Sequence, residues 1–82
     1  MKELLEYLVK AICQDQDQIQ IDLSGDENFT QIKLLVSTTD IGRIIGKQGR
    51  TIQSIRLLLG AAFPKKRFSL QVDSHQENQP QA

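Results

Sequence analysis

Residues 44–52 read IIGKQGRTI, and three of the chain's five glycines fall between positions 42 and 49. Glycine weakens a helix because it gives up the most backbone freedom on folding, so a cluster marks a place where side chains had to be absent. Gly46 and Gly49 bracket Lys47 and Gln48, and Arg43 and Arg50 lie just outside. A bare backbone leading into a helix, with cations beside it, suits the binding of an anion, phosphate above all: the first turn offers unpaired N–H groups and the positive end of the helix dipole. A tight helix–helix turn would need the same glycines; the flanking basic residues favour the anion site. The nucleotide-binding P-loop is excluded. It requires G-x-x-x-x-G-K-[ST] after a strand. Here only three residues separate Gly42 from Gly46, Gln48 stands where a Ser or Thr would hold magnesium, and the segment before the loop reads as helix.

Other chemistry has little support. His75 is the only histidine and falls in a polar tail, where it is expected to be solvated. No nucleophile–base pair and no metal-ligand cluster is apparent, so neither an enzyme nor a cofactor is expected. Cys13, the only cysteine, permits no intrachain disulfide and no cysteine-based zinc cage; it is expected to be a small buried residue at a helix. No apolar run is long enough to span a membrane and no secretion signal is visible, so the expected location is the cytoplasm.

The net charge is zero, but it is unevenly spread. Residues 1–40 set Lys2, Lys10 and Lys33 against eight acids, a net of −5. Residues 41–72 carry Arg43, Lys47, Arg50, Arg56, Lys65, Lys66 and Arg67 with no acid, a net of +7. Such asymmetry points to a local anionic partner, against the alternative of a solvated basic helix face.

The elements that must position the loop follow from hydrophobic period. ELLEYLVKAI places Leu4, Leu5, Leu8, Val9 and Ile12 on one side of a helix. QIQIDL alternates through Ile19, Ile21 and Leu23, and TQIKLLV through Ile32, Leu34 and Val36. The turn SGDEN, with Gly25 free to take a positive φ, should join them as a hairpin. In STTD, Ser37 and Asp40 fit a capping box for a short helix beginning near Thr38. A second helix starts at about Gly49 or Arg50, with Ile52, Ile55, Leu58, Leu59 and Ala62 as its core face, and Pro64 ends it. RFSLQV is a last strand with Phe68, Leu70 and Val72 inward. The residues therefore predict an α+β domain over residues 1–73 in the order α-β-β-α-α-β. It has a three-stranded sheet, helices covering one face, and a disordered polar tail over residues 74–82.

IGRIIGKQGRTIQSIR resembles the GXXG signature of KH domains, which clamp about four nucleotides of a single strand. With a helix and strand ahead of the core, the order resembles the type II, bacterial arrangement. The chain as far as Asp73 resembles the KhpA family of small stand-alone bacterial KH proteins. It departs from that pattern only in its polar tail and in the Lys65-Lys66-Arg67 run. The resemblance implies single-stranded RNA binding and RNA-chaperone or post-transcriptional regulatory activity. It also implies pairing with itself or with a Jag-type KH partner, KhpB, and links to cell elongation, cell shape and peptidoglycan homeostasis. Carried onto this sequence, it implies that Gly46, Lys47, Gln48 and Gly49 hold the sugar-phosphate backbone, with Arg43, Arg50 and Ile45 beside them. Ile41, Ile44, Ile45 and Ile52 are candidates for the groove wall or the core beneath it, and Lys33 and Leu35 sit on the facing strand, only one of their faces flanking the groove. Tyr7, Phe29, Phe63 and Phe68 lie away from the loop, so bases would rest on aliphatic side chains with modest, weakly sequence-specific affinity. Leu57 and Ala61, with Leu58 at the margin, form an apolar strip away from the core stripe. That strip would serve a dimer, and it supports a second reading: a protein-interaction module with the same fold and little RNA binding of its own.

Overall fold

A computed structural model describes residues 1–26 and 28–75. Helix α1 is Lys2–Ile12, strand β1 Gln20–Gly25, β2 Thr30–Val36, helix α2 Ile41–Ile45, α3 Arg50–Ala62 and β3 Phe68–Ser74. Single 3-10 turns occupy Gln16–Gln18 and Lys47–Gly49. The chain is an α+β fold with the expected element order. β1 and β2 form the antiparallel hairpin, with Asp22 opposite Lys33. Gly25 takes φ 105° at its end, where a β-carbon would strike the Phe29 carbonyl. β3 joins the other side of β2 in parallel, with Gln71 beside Lys33, so β2 is the central strand of a mixed sheet.

Alternation decides which face of the sheet is covered. Ile32, Leu34, Val36 and Leu70 point into the core, where they meet Leu5 and Val9 of α1, Ile44 of α2, and Ile52, Ile55 and Leu59 of α3. Gln31, Lys33, Ser69 and Gln71 point the other way, to solvent. The apolar stripes are narrower than the periodicity suggests. Leu58 and Ala62, expected in the core face of α3, are exposed: Leu58 flanks the Ile52–Ile55–Leu59 line, while Ala62 continues that line as the last residue of the helix. Leu23 pairs with buried Ile32 but stays exposed on the edge strand.

The STTD segment meets its expected capping role in part: Asp40 N–H donates to Ser37 Oγ at 3.2 Å. The helix starts at Ile41, and Ser37–Asp40 is a turn in which the Asp40 and Ile41 N–H groups donate to the Ser37 carbonyl at 3.0 and 3.1 Å. Ser37 Oγ does donate to the Asp40 carboxylate, at 3.1 Å. That carboxylate, fully buried, also accepts N–H bonds from Gln14 at 3.1 Å and Asp15 at 2.9 Å, just past α1. The Asp15 N–H bond leads in holding the Asp40 pKa below the ordinary value, with the Gln14 and Ser37 bonds and the Arg43 charge aiding against burial. Neighbouring Cys13 is buried at the end of α1; burial first, then the Asp40 charge, pushes its thiol up to about 11, so it stays protonated and inert.

Ser74 is buried, and His75 is tied in, contrary to the expectation of a solvated side chain. Its N–H donates to the Val36 carbonyl at 3.0 Å and its Nε2–H to the Gln18 carbonyl at 2.7 Å. The ordered strand therefore passes the boundary expected at residue 73, and the rest of the expected tail, 76–82, lies outside the described residues. No helix among the described residues is long and apolar enough to cross a membrane.

Candidate nucleic-acid interface

The two loop glycines are required for different reasons. Gly46 closes α2, its N–H donating to the Gly42 carbonyl at 2.8 Å, and takes φ 77° and ψ 175°. A β-carbon there would collide with Thr51 Oγ1 and lie 2.8 Å from the Thr51 nitrogen. Gly46 therefore lets α2 press against the first turn of α3. Around Gly49 a β-carbon would meet open space, but φ 77° and ψ 15° place it in the left-handed region. Gln48 is left-handed as well, at φ 56° and ψ 27°. A non-glycine residue there costs roughly 1–2 kcal/mol, a strain that tends to collect at functional loops.

The turn is held by its own backbone: Gly49 N–H donates to the Gly46 carbonyl at 3.1 Å, and Arg50 N–H to that of Lys47. The Lys47 and Gln48 side chains are consequently exposed at the entrance to α3, with Arg50 exposed on its first residue. Arg43, on α2, is exposed too; its Nε lies 3.9 Å from Asp40 Oδ1. Among the described residues the only ion pairs are that one and Glu6–Lys10, so Lys47 and Arg50 have no carboxylate partner.

The isoleucine candidates sort cleanly. Ile44 and Ile52 are core, Ile41 is half-buried, and Ile45 is 40% exposed beside the loop. The expectation for Lys33 and Leu35 needs correction. Two residues apart on one strand, they share a face, and it is the open face of the central strand rather than the helical side. The strand approached by α2 and bonded by α3 is β3: Arg56 Nη2 donates to the Leu70 carbonyl at 3.0 Å. Nothing in the local sequence marked Arg56 for that contact beyond its place in the basic run.

Leu57 is 73% exposed, Leu58 51%, and Ala61 is exposed as well, so α3 does present the expected apolar strip away from its buried stripe. A polar cleft of about 540 Å³, lined by Gln14–Gln18, Ser37–Thr39 and His75, sits at the start of α2 and includes no loop residue. No group of three His, Cys, Asp or Glu side chains among the described residues is arranged to hold a metal.

A family model described as the KH domain of KhpA and KhpB matches residues 2–73. Relatives named RNA-binding protein KhpA match over most of the chain. The Borreliella burgdorferi protein is 37% identical over 71 residues, 87% of each chain. That of Halalkalibacterium halodurans is 33% identical over 89% of this chain and 96% of its own, and that of Chlamydia trachomatis 34% identical over 94% and 99%.

Proposed function

The chain belongs to the KhpA/KhpB KH-domain family, and from that premise we propose that it binds single-stranded RNA, gripping about four nucleotides at the loop Gly46-Lys47-Gln48-Gly49. The observation that carries the reading is the left-handed Gln48–Gly49 turn, which opens α3 with Lys47 and Arg50 exposed and free of carboxylates. Phosphate oxygens meet backbone N–H groups and two cations there. Arg43 adds a third positive group from α2, and Ile45 offers an aliphatic surface on which a base can rest. With no aromatic residue in the loop, affinity for one domain is modest and sequence preference weak.

The reading extends, on the family resemblance alone, to a cytoplasmic RNA chaperone or post-transcriptional regulator that acts in cell elongation and peptidoglycan homeostasis with a Jag-type KH partner. The exposed Leu57, Leu58 and Ala61 strip supports pairing with a second copy or with that partner. It also favours the second reading, of an interaction module. One experiment separates the two. Lys47→Asp with Gln48→Asp puts two negative charges where the phosphate sits, in an exposed loop that folding does not depend on. RNA affinity is expected to fall at least tenfold while circular dichroism stays native. Unchanged binding in the double variant would remove the loop as the site, and an absence of RNA binding by the wild type would leave the interaction module as the surviving reading.

A further inference from the structure

Lys65, Lys66 and Arg67 form a second concentration of positive charge, in the turn from α3 to β3, and the clamp does not account for it. All three are exposed, and among the described residues none is in an ion pair. Their backbone is fixed on both sides: Lys66 N–H donates to the Phe63 carbonyl at 3.0 Å, and the Arg67 carbonyl accepts from Thr30 N–H at 2.9 Å. The turn therefore presents its side chains from a rigid frame. Compensation of the α3 dipole does not explain three adjacent like charges, because that effect falls off within the last helical turn, and the last turn itself has no basic residue.

The position of this turn is informative. α3 has 13 residues and spans about 20 Å, with the loop at one end and the basic turn beyond the other. Between them Arg50, Gln53 and Arg56 follow one another three residues apart, all exposed, and Arg56 is anchored on β3 through the Leu70 carbonyl. No acid occurs anywhere from residue 41 to residue 72. The acids Asp22 and Asp26 belong to β1 and its turn, at the opposite edge of the sheet from β3. Exposed cations at the start of α3, on its β3 side at Arg56 and in the turn beyond its end match a chain of phosphates better than a single anion. At the stacked rise of about 3.4 Å per nucleotide, 20 Å holds roughly six nucleotides, and fewer in an extended strand.

We infer that the RNA strand held at the loop continues along the α3–β3 seam and makes a second set of phosphate contacts at Lys65, Lys66 and Arg67. This rests on the loop reading above and enlarges the site from about four nucleotides to about eight or more.

The test compares oligouridylates of four and about ten nucleotides on the wild type and on Lys65→Gln/Lys66→Gln/Arg67→Gln, across salt. On the longer strand, the triple variant should lose at least tenfold in affinity at low salt, and its salt slope should become shallower by about 2, near 0.7 for each phosphate contact removed. Binding of the four-nucleotide strand should change less than twofold. Comparing proteins on the same strand cancels the larger number of registers that a longer strand offers. Lys65→Gln/Lys66→Gln, which leaves Arg67 intact beside its bond to Thr30, should give about two-thirds of the change in slope and guards against misfolding of the triple variant. Unchanged long-strand affinity and slope in both variants would overturn the extension while leaving the clamp intact. If wild type binds neither strand, the loop reading falls, and the extension with it.

Discussion

Asp40 shows how much one buried carboxylate can organise. It joins the residues after α1 to the turn that launches α2, and it stands 3.9 Å from Arg43, the cation on that helix. A buried charge is tolerated only when its acceptor sites are filled, and here two backbone N–H groups and a hydroxyl fill them. The pKa of Asp40 is lowered in the fold, so its stabilisation is present above the unfolded value of about 3.9 and is lost as pH falls below that and through the folded value. Wild type should therefore show a falling melting temperature below about pH 4. Asp40→Asn, which sets an amide donor against one of the two N–H groups, should melt lower at pH 7 and show a weaker acid dependence. Parallel acid curves for the two proteins would remove Asp40 from this role. The local half of the arrangement was legible, since Ser37 and Asp40 meet as a capping pair would. The partners at Gln14 and Asp15 lie 26 and 25 residues away and leave no local pattern to read.

At the scale of the element, α3 is the part that sequence describes best, because one amphipathic period and two glycines determine where it starts and which side it buries. Its start at Arg50 and the burial of Ile52, Ile55 and Leu59 follow from spacing alone. The margins were less legible: Leu58 is apolar and adjacent to the stripe, and only packing decides that it stays outside. Its exposure widens the free strip, and burying a leucine fully is worth roughly 1.5–3 kcal/mol, enough to matter in a small interface. Leu57→Asp would place a charge in that contact without touching the core, so the variant should fold normally and lose dimer mass, or its KH partner, across a concentration series in light scattering. RNA should still bind each separate domain, more weakly, because avidity is gone. Equal masses for wild type and variant at every concentration would show that α3 is not the contact.

Over the whole molecule, a net charge of zero conceals two opposed segments; in the sheet, β1 with Asp22 and the following Asp26 is one edge, and β3, with the basic turn ahead of it and Asp73 near its end, is the other. Affinity for RNA must then fall with salt. A four-nucleotide strand should show a slope of log K against log salt on the order of −2 to −3, from about 0.7 per phosphate neutralised. A flat dependence, measured by titration across salt, would mean that the basic surface is only solvated. The charge asymmetry was plain from composition by segment. Strand order was not, because alternation tells which residues share a face and is silent on which strand is central; that is why Lys33 and Leu35 were expected to flank the groove although they lie on the open face of the central strand. The parallel pairing of β2 with β3 has a temporal consequence. The hairpin closes over a few residues, but β2 must wait for β3: Thr30 at position 30 finds its partner Phe68 at position 68, and everything between, clamp included, is enclosed by that pairing. Contacts so distant along the chain form late, after the ordering cost of the intervening segment has been met. During synthesis, a nascent chain that has released α3 but not β3 has the clamp sequence without the strand that braces it. On the proposed reading, the loop grips RNA only once β3 has emerged and paired with β2.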